Sequence, residues 1–342
     1  MRTSLACTIA FVALISVPSL FGLRAARGQP AAPALASLEL TGPYVYQNLA
    51  VFAVHDKNAA KHDDILTLQE ALAQKVVTVA ETGDVNRLVA RNHGKSSVYL
   101  QAGDIVKGGQ QDRILQHDTL VPPDGKRVML NVFCVESGRW HERGSEPAQH
   151  FASSTATFMT KGQKMAVKVA GSQVAVWSSV AAAQAEIGGR LGHSVHAPAS
   201  ATSLQLSLED ERLGRTVDDY VRNIEKQIPP KEDLVGYAVA VNGKVDSVDV
   251  FASPVLFGKM KGKLLKASAG EAVANKSDKP TSTPGTDAVR TLIADAESGT
   301  ARTERQNLRT KVTRKETAKN VVFTTDDPFI PGKPVHRNYL AK

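Results

Sequence analysis

Cysteine is nearly absent. Two occur in 342 residues, Cys7 and Cys134, and a single thiol within the body of the chain cannot form an internal disulfide. That excludes a small disulfide-held scaffold, so stability has to come from a buried core. Aromatic residues are sparse, at 5%, and a long apolar run occurs only at the start. There is no Gly-x-Ser-x-Gly elbow, His-Glu-x-x-His helix or Walker loop, which removes the best-marked hydrolase, zinc-peptidase and nucleotide signatures. No cofactor or metal motif emerges. His193 and His196 have the spacing of two ligands, but no third ligand stands close by and Pro198 favours an exposed loop.

What is present is enough to build a core, with 42% hydrophobic and 22% charged residues. Arg2 precedes an apolar stretch, Leu5 to Leu23, and small residues follow, with cleavage expected after Gly28 or Ala34. This reads as a secretory signal, so the protein is expected to be exported, to a periplasm or the extracellular space. It would touch a membrane only if the segment stayed uncleaved, since its length approaches the ~20 residues that span a bilayer. The net charge of +8 is concentrated between Lys259 and Lys319, which hold 14 Lys/Arg against 7 Asp/Glu. With no aromatic residue between Lys261 and Val321, base stacking is missing and no nucleic-acid partner is expected. An anionic envelope polymer is the partner such a region would suit. The expected organisation is a signal and spacer over 1–34, a folded domain over 35–272 and a flexible basic tail over 273–342.

The expected fold class is α+β, with a strand-rich N-terminal half containing hairpins and helices flanking a second hairpin in the C-terminal half. Pro122-Pro123-Asp124-Gly125 is turn chemistry between apolar runs at Ile114 to Val121 and Val128 to Glu136, and predicts a hairpin. Three-to-four spacing predicts helices over Val174 to Leu191 and Leu208 to Ile228. Asn242-Gly243 between Val235 to Val241 and Val245 to Phe251 predicts a type I′ hairpin, followed by a helix over Val255 to Ala269.

Polar side chains concentrate between Gly103 and Trp140. Gly108 and Gly109 allow a tight turn or a close ligand approach, and Gln111, Asp112 and Arg113 follow at once. Cys134, Glu136, Arg139 and Trp140 lie after the expected hairpin, which would bring the two sets together. In one reading Arg113 and Arg139 hold an anion, Trp140 stacks on a ligand, and Glu136 or Asp112 acts as general base. In the other, Arg113 pairs structurally with Glu136 or Asp112, and Cys134 is a small buried hydrophobe.

These blocks also carry a resemblance. Glu81 to Asn92, Gly103 to Arg113, Cys134-Val-Glu-Ser-Gly-Arg-Trp140 and the hairpin running into Asp249-Val-Phe251 resemble the ARPP domain, across roughly residues 38 to 272. Its name expands to ARG-and-rhodanese-phosphatase-associated protein, ARG being ADP-ribosylglycohydrolase. Family members often carry Lys-Gln-Asn-Arg where this chain has Gln110-Gln111-Asp112-Arg113, and the Lys-to-Gln change removes one charge. The resemblance implies association with enzymes of ADP-ribose and phosphate esters, hence a nucleotide-like or sugar-phosphate ligand, but no activity. Two functions follow as expectations: binding or hydrolysis of a phosphate- or ribose-bearing small molecule, or a non-catalytic envelope role in contact with a protein or an anionic polymer.

Overall fold

Leu49–His55 is buried at all seven positions, and Leu234–Val241 at all but its first. Continuous apolar runs of this length mark strands covered on both faces. They pair with each other, second and third from one edge of an eight-stranded antiparallel sheet. Its order is Glu39–Tyr46, Leu49–His55, Leu234–Val241, Lys244–Phe251, His336–Ala341, Asn320–Asp326, Thr310–Glu316, Thr300–Asn307. The computed structural model describes residues 38–59, 64–141, 143–144, 150–153, 159–277, 279, 281–329 and 334–342; the expected signal lies outside them. Among the described residues no helix is long and apolar enough to cross a membrane.

Between His55 and Leu234 the chain builds a second unit. A six-stranded sheet has the order Phe151–Ser153, Ile105–Gly108, Arg113–Leu115, Val128–Cys134, Arg87–Asn92, Val77–Glu81. A three-stranded sheet, Leu66–Thr67, Val98–Leu100 and Thr119–Val121, shares its core of Val79, Leu88, Leu100, Leu115 and Leu130. The hairpin expected across Pro122 to Gly125 is divided. Thr119–Val121 pairs with Val98–Leu100, while Val128–Cys134 pairs first with Arg87–Ala90 and then with Arg113–Leu115. Alternation of apolar residues showed the strands but not that one of them changes partner halfway.

Among the described residues seven α-helices complete the fold: α1 (Leu68–Ala73), α2 (Lys161–Lys164), α3 (Gln173–Leu191), α4 (Leu204–Leu208), α5 (Glu211–Glu225), α6 (Pro254–Ala274) and α7 (Thr286–Glu297). A π-helical turn, Met165–Ala170, extends α2. Helix α1 starts at Thr67, whose side chain and that of Glu70 cap each other's backbone N–H. Helix α6 starts at Ser253, which accepts from the backbone N–H of Val255 and Leu256, with Pro254 in the first turn where no donor is needed. Asn242 and Gly243 both adopt positive φ, 50° and 75°, as a type I′ turn requires. Helices α5 and α6 cover one face of the large sheet through Leu213, Tyr220, Leu256 and Phe257, and α3 packs on α6 and on Val128–Cys134. Helix α7 covers the other through Val289, Leu292 and Ala296.

The segment 273–342 is not the flexible tail expected of it. It supplies α7 and four of the eight strands of the large sheet. In Thr310–Glu316 only Thr310 and Val312 are buried, and the charged residues between and beyond them are half-buried, Arg314 lying over the Phe323 ring. His336–Ala341 is central, between Lys244–Phe251 and Asn320–Asp326, and the domain boundary expected at 272 falls inside α6 and would divide one sheet.

Candidate functional site

Ile105–Gly108 and Arg113–Leu115 are adjacent antiparallel strands, and the chain reverses between them at Gly108 and Gly109, with φ of 118° and 57°. Only glycine suits Gly109, because a Cβ there would lie 2.4 Å from the Phe151 ring and 2.6 Å from Oε1 of Glu81. Arg113 and Cys134 are register partners on neighbouring strands, which sets the two polar blocks side by side as expected. The backbone N–H of Val135 donates to the Asp112 carbonyl (3.1 Å), and that of Asp112 to Oε2 of Glu136 (3.3 Å).

Arg113 does not pair with Glu136 or Asp112. Its side chain is 1% exposed, donates to the carbonyls of Gln111 (2.7 Å) and Val85 (3.2 Å), and lies 3.8 Å from Glu81. The carboxylates of Asp112 and Glu136 instead share two other arginines. Nη2 of Arg139 is 2.7 Å from Glu136 and 3.6 Å from Asp112. Arg143 reaches Asp112 with both terminal nitrogens, at 3.1 and 3.3 Å, and Glu136 at 3.5 Å. Asp112 also accepts from the Gly108 N–H (3.0 Å) and the Ser203 hydroxyl (3.2 Å). The two acids respond oppositely. Burial pushes the Asp112 carboxyl above its ordinary pKa, outweighing the Gly108 donor and Arg143. Burial acts the same way on Glu136, but there the hydrogen bond and charge of Arg139 prevail and hold it below the usual carboxylate range. Gln111 lies beside them fully buried, and neither atom of its amide has a hydrogen-bond partner among the described residues.

Two expected contributors stand apart. Cys134 is buried, its thiol pushed up in pKa by burial. Its backbone N–H and carbonyl bond to the Gln173 side chain at 2.9 and 2.8 Å, tying the motif to the start of α3. Trp140 is 52% exposed, on the outside of the cluster. His193 hydrogen-bonds Asp210 and His196 the Ala201 carbonyl. Among the described residues no group of three His, Cys, Asp or Glu has the arrangement of a metal site.

A second buried network joins the inserted unit to the large sheet, and sequence reading missed it. Nδ1 of His336 is 2.7 Å from Asp118 and Nε2 is 3.0 Å from Asp249. Tyr99 lies 3.1 Å from Nδ1, Asn338 donates to Asp249 (2.9 Å), and Lys168 donates to Asn338 (2.6 Å). Its members come from five separated segments, so no local spacing announced it; Asp249 alone fell in a block already singled out. Burial lowers the pKa of Lys168. For His336 burial also pulls downward, but Asp118 and Asp249 raise it overall.

With fold and cluster in view, the comparisons name the class. The family model described as ARG and Rhodanese-Phosphatase-superfamily-associated Protein domain, ARPP-1, matches residues 37–340, and the chain belongs to that family. The match runs through the C-terminal strands, beyond the 38 to 272 over which the resemblance was read. Neither the curated proteins nor the solved structures hold a match to the chain.

Proposed function

We propose that this is an exported protein that binds, and by the same groups can hydrolyse, a polar small molecule at the Asp112–Glu136–Arg139 cluster. The observation that carries the reading is the pair of buried carboxylates on one guanidinium, shifted in opposite directions. Such divergence separates the roles of acid and base. Glu136, kept ionised by Arg139, is the base that takes a proton from water. Asp112, the more readily protonated, is the group that gives one to a leaving oxygen. The Gln111 amide, with a donor and an acceptor both unpartnered, is suited to a ligand hydroxyl or amide.

Charge balance refines the ligand. Glu81, Asp112 and Glu136 stand against Arg113, Arg139 and Arg143, so the guanidinium groups already have counter-ions. This favours a hydroxyl-bearing ligand such as a ribose or sugar over a bare phosphate. Export rests on the sequence from Arg2 to Ala34.

The test is a thermal-shift screen of nucleosides, ADP-ribose and sugar phosphates, with Gln111→Leu in parallel. Removing an unpaired buried amide should leave stability equal or higher, yet abolish the shift given by the true ligand. A shift that persists in Gln111→Leu, or no shift from any compound, would rule out this site. An envelope-binding role keeps one supporting observation, the edge strand Thr300–Asn307, which displays Arg302 and Arg305 to solvent. Arg302→Glu with Arg305→Glu would then abolish retention on an anionic polysaccharide column.

A further inference from the structure

Behind the large sheet, on the face opposite α6, α7 leaves a cavity of about 510 Å³, within the range of small-molecule sites. Its apolar wall is Leu38, Leu40, Ile293 and Ala294. Thr313, Thr324 and Arg337 also line it, in register across three adjacent strands, so one row of side chains on one face forms its polar floor. Arg290 contributes a second guanidinium from α7.

The charges of this cavity are not spent alike. Lys315 is bound to Glu297 at 2.7 Å, and Glu297 also accepts from Tyr339 at 2.9 Å. The side chains of Arg337 and Arg290 have no ion pair or hydrogen bond among the described residues, and Nε of Arg337 is buried without a partner. A buried guanidinium nitrogen left unpaired is costly, and an anionic oxygen is the group that best satisfies it. Apolar wall and unpaired cations together define an amphipathic anion.

We propose that this cavity is a binding site for a small amphipathic carboxylate or sulfonate, with its hydrocarbon body on Leu38, Leu40 and Ile293 and its head group on Arg337 and Arg290. The site is separate from the Asp112–Glu136 cluster and stands whether or not that cluster binds a ligand. It is filled from the α7 side of the sheet, and the head group lies over the Thr324–Arg337 register pair.

The experiment uses the full chain with decanoate as probe and decanol as its neutral counterpart, read by isothermal titration and by displacement of anilinonaphthalene sulfonate. The expected result is saturable binding of one decanoate per chain, weakened about tenfold by Arg337→Gln, the loss of one charge-assisted contact, while decanol binding stays unchanged. Arg290→Gln, on the exposed surface of α7, gives the same direction of change if Arg337→Gln folds poorly. Decanoate that does not bind at millimolar concentration, or binds both variants as tightly as the unaltered chain, overturns the proposal. So does decanol binding as well as decanoate.

Discussion

His336 lies flat on Phe251, ring centroids 4.2 Å apart and planes 19° from parallel, while its two nitrogens meet Asp118 and Asp249. The imidazole is therefore held between two carboxylates in a buried junction, with Tyr99 and Lys168 as the other polar neighbours.

Because the folded pKa of His336 is raised, its contribution to stability is full below the unfolded value of about 6.5 and is lost as pH rises through the folded value. Asp118 and Asp249 are held below the usual range, chiefly by His336 against the cost of burial; their contribution is present above the unfolded value and lost in acid. His336→Gln should cost about 3–5 kcal/mol, as for a buried pair losing one partner. Urea denaturation from pH 5 to 8.5 checks it: the gap between wild type and variant should narrow with rising pH. An equal gap at every pH would mean a neutral imidazole.

Arg139 and Glu136 are 2.7 Å apart and both buried. Glu136→Gln alone should destabilise by about 3–5 kcal/mol, and adding Arg139→Gln should recover part of it, because the surplus positive charge beside Asp112 is then gone. Arg113 couples instead to Glu81, so a double-mutant cycle of Arg113 with Glu136 should give a coupling under about 0.5 kcal/mol, as for independent sites.

Glu271 on α6 is pushed up to about 7 by burial and by Asp246, while accepting from the Lys161 N–H and the Asn275 side chain. A carboxyl raised on folding binds more protons in the native state, so stability should fall as pH rises from about 4.5 to 7. Glu271→Gln removes the charge and keeps one of the two acceptor oxygens. It should flatten that slope and be the more stable protein at pH 8, by up to roughly 3 kcal/mol, as read by guanidinium denaturation.

Deleting residues 334–342 removes a central strand and with it His336. The expected product is insoluble or lacks a cooperative melt by circular dichroism. A cooperative melt at unchanged temperature would mean that the strand is dispensable.

The parts of the fold legible from sequence were those decided within a few residues: the Asn242-Gly243 turn, the helical face of α5, and α6 after Ser253-Pro254. Strand pairing was less legible, because Val128–Cys134 changes partner after Asn131 and nothing in its alternation records that. The C-terminal strands were hidden by their lysines and arginines, and the His336 network by distance along the chain. At the candidate site, the closeness of Asp112 and Glu136 followed from the two flanking blocks. The partner of Arg113 did not, since Glu81 arrives from a strand three places away in the sheet, and Arg143 lies outside both blocks.

Leu49–His55 pairs along its length with Leu234–Val241, and everything from Asp56 to Asp233 is spliced between them. A chain emerging from its N-terminus must therefore hold Leu49–His55 as an open apolar edge until the insertion has passed, and the sheet is not closed until His336–Ala341 arrives. Contacts so distant in sequence slow folding, and an unpaired strand edge invites association with other chains while it waits. Synthesis of this protein thus has an interval in which a holding chaperone would have its greatest effect on yield.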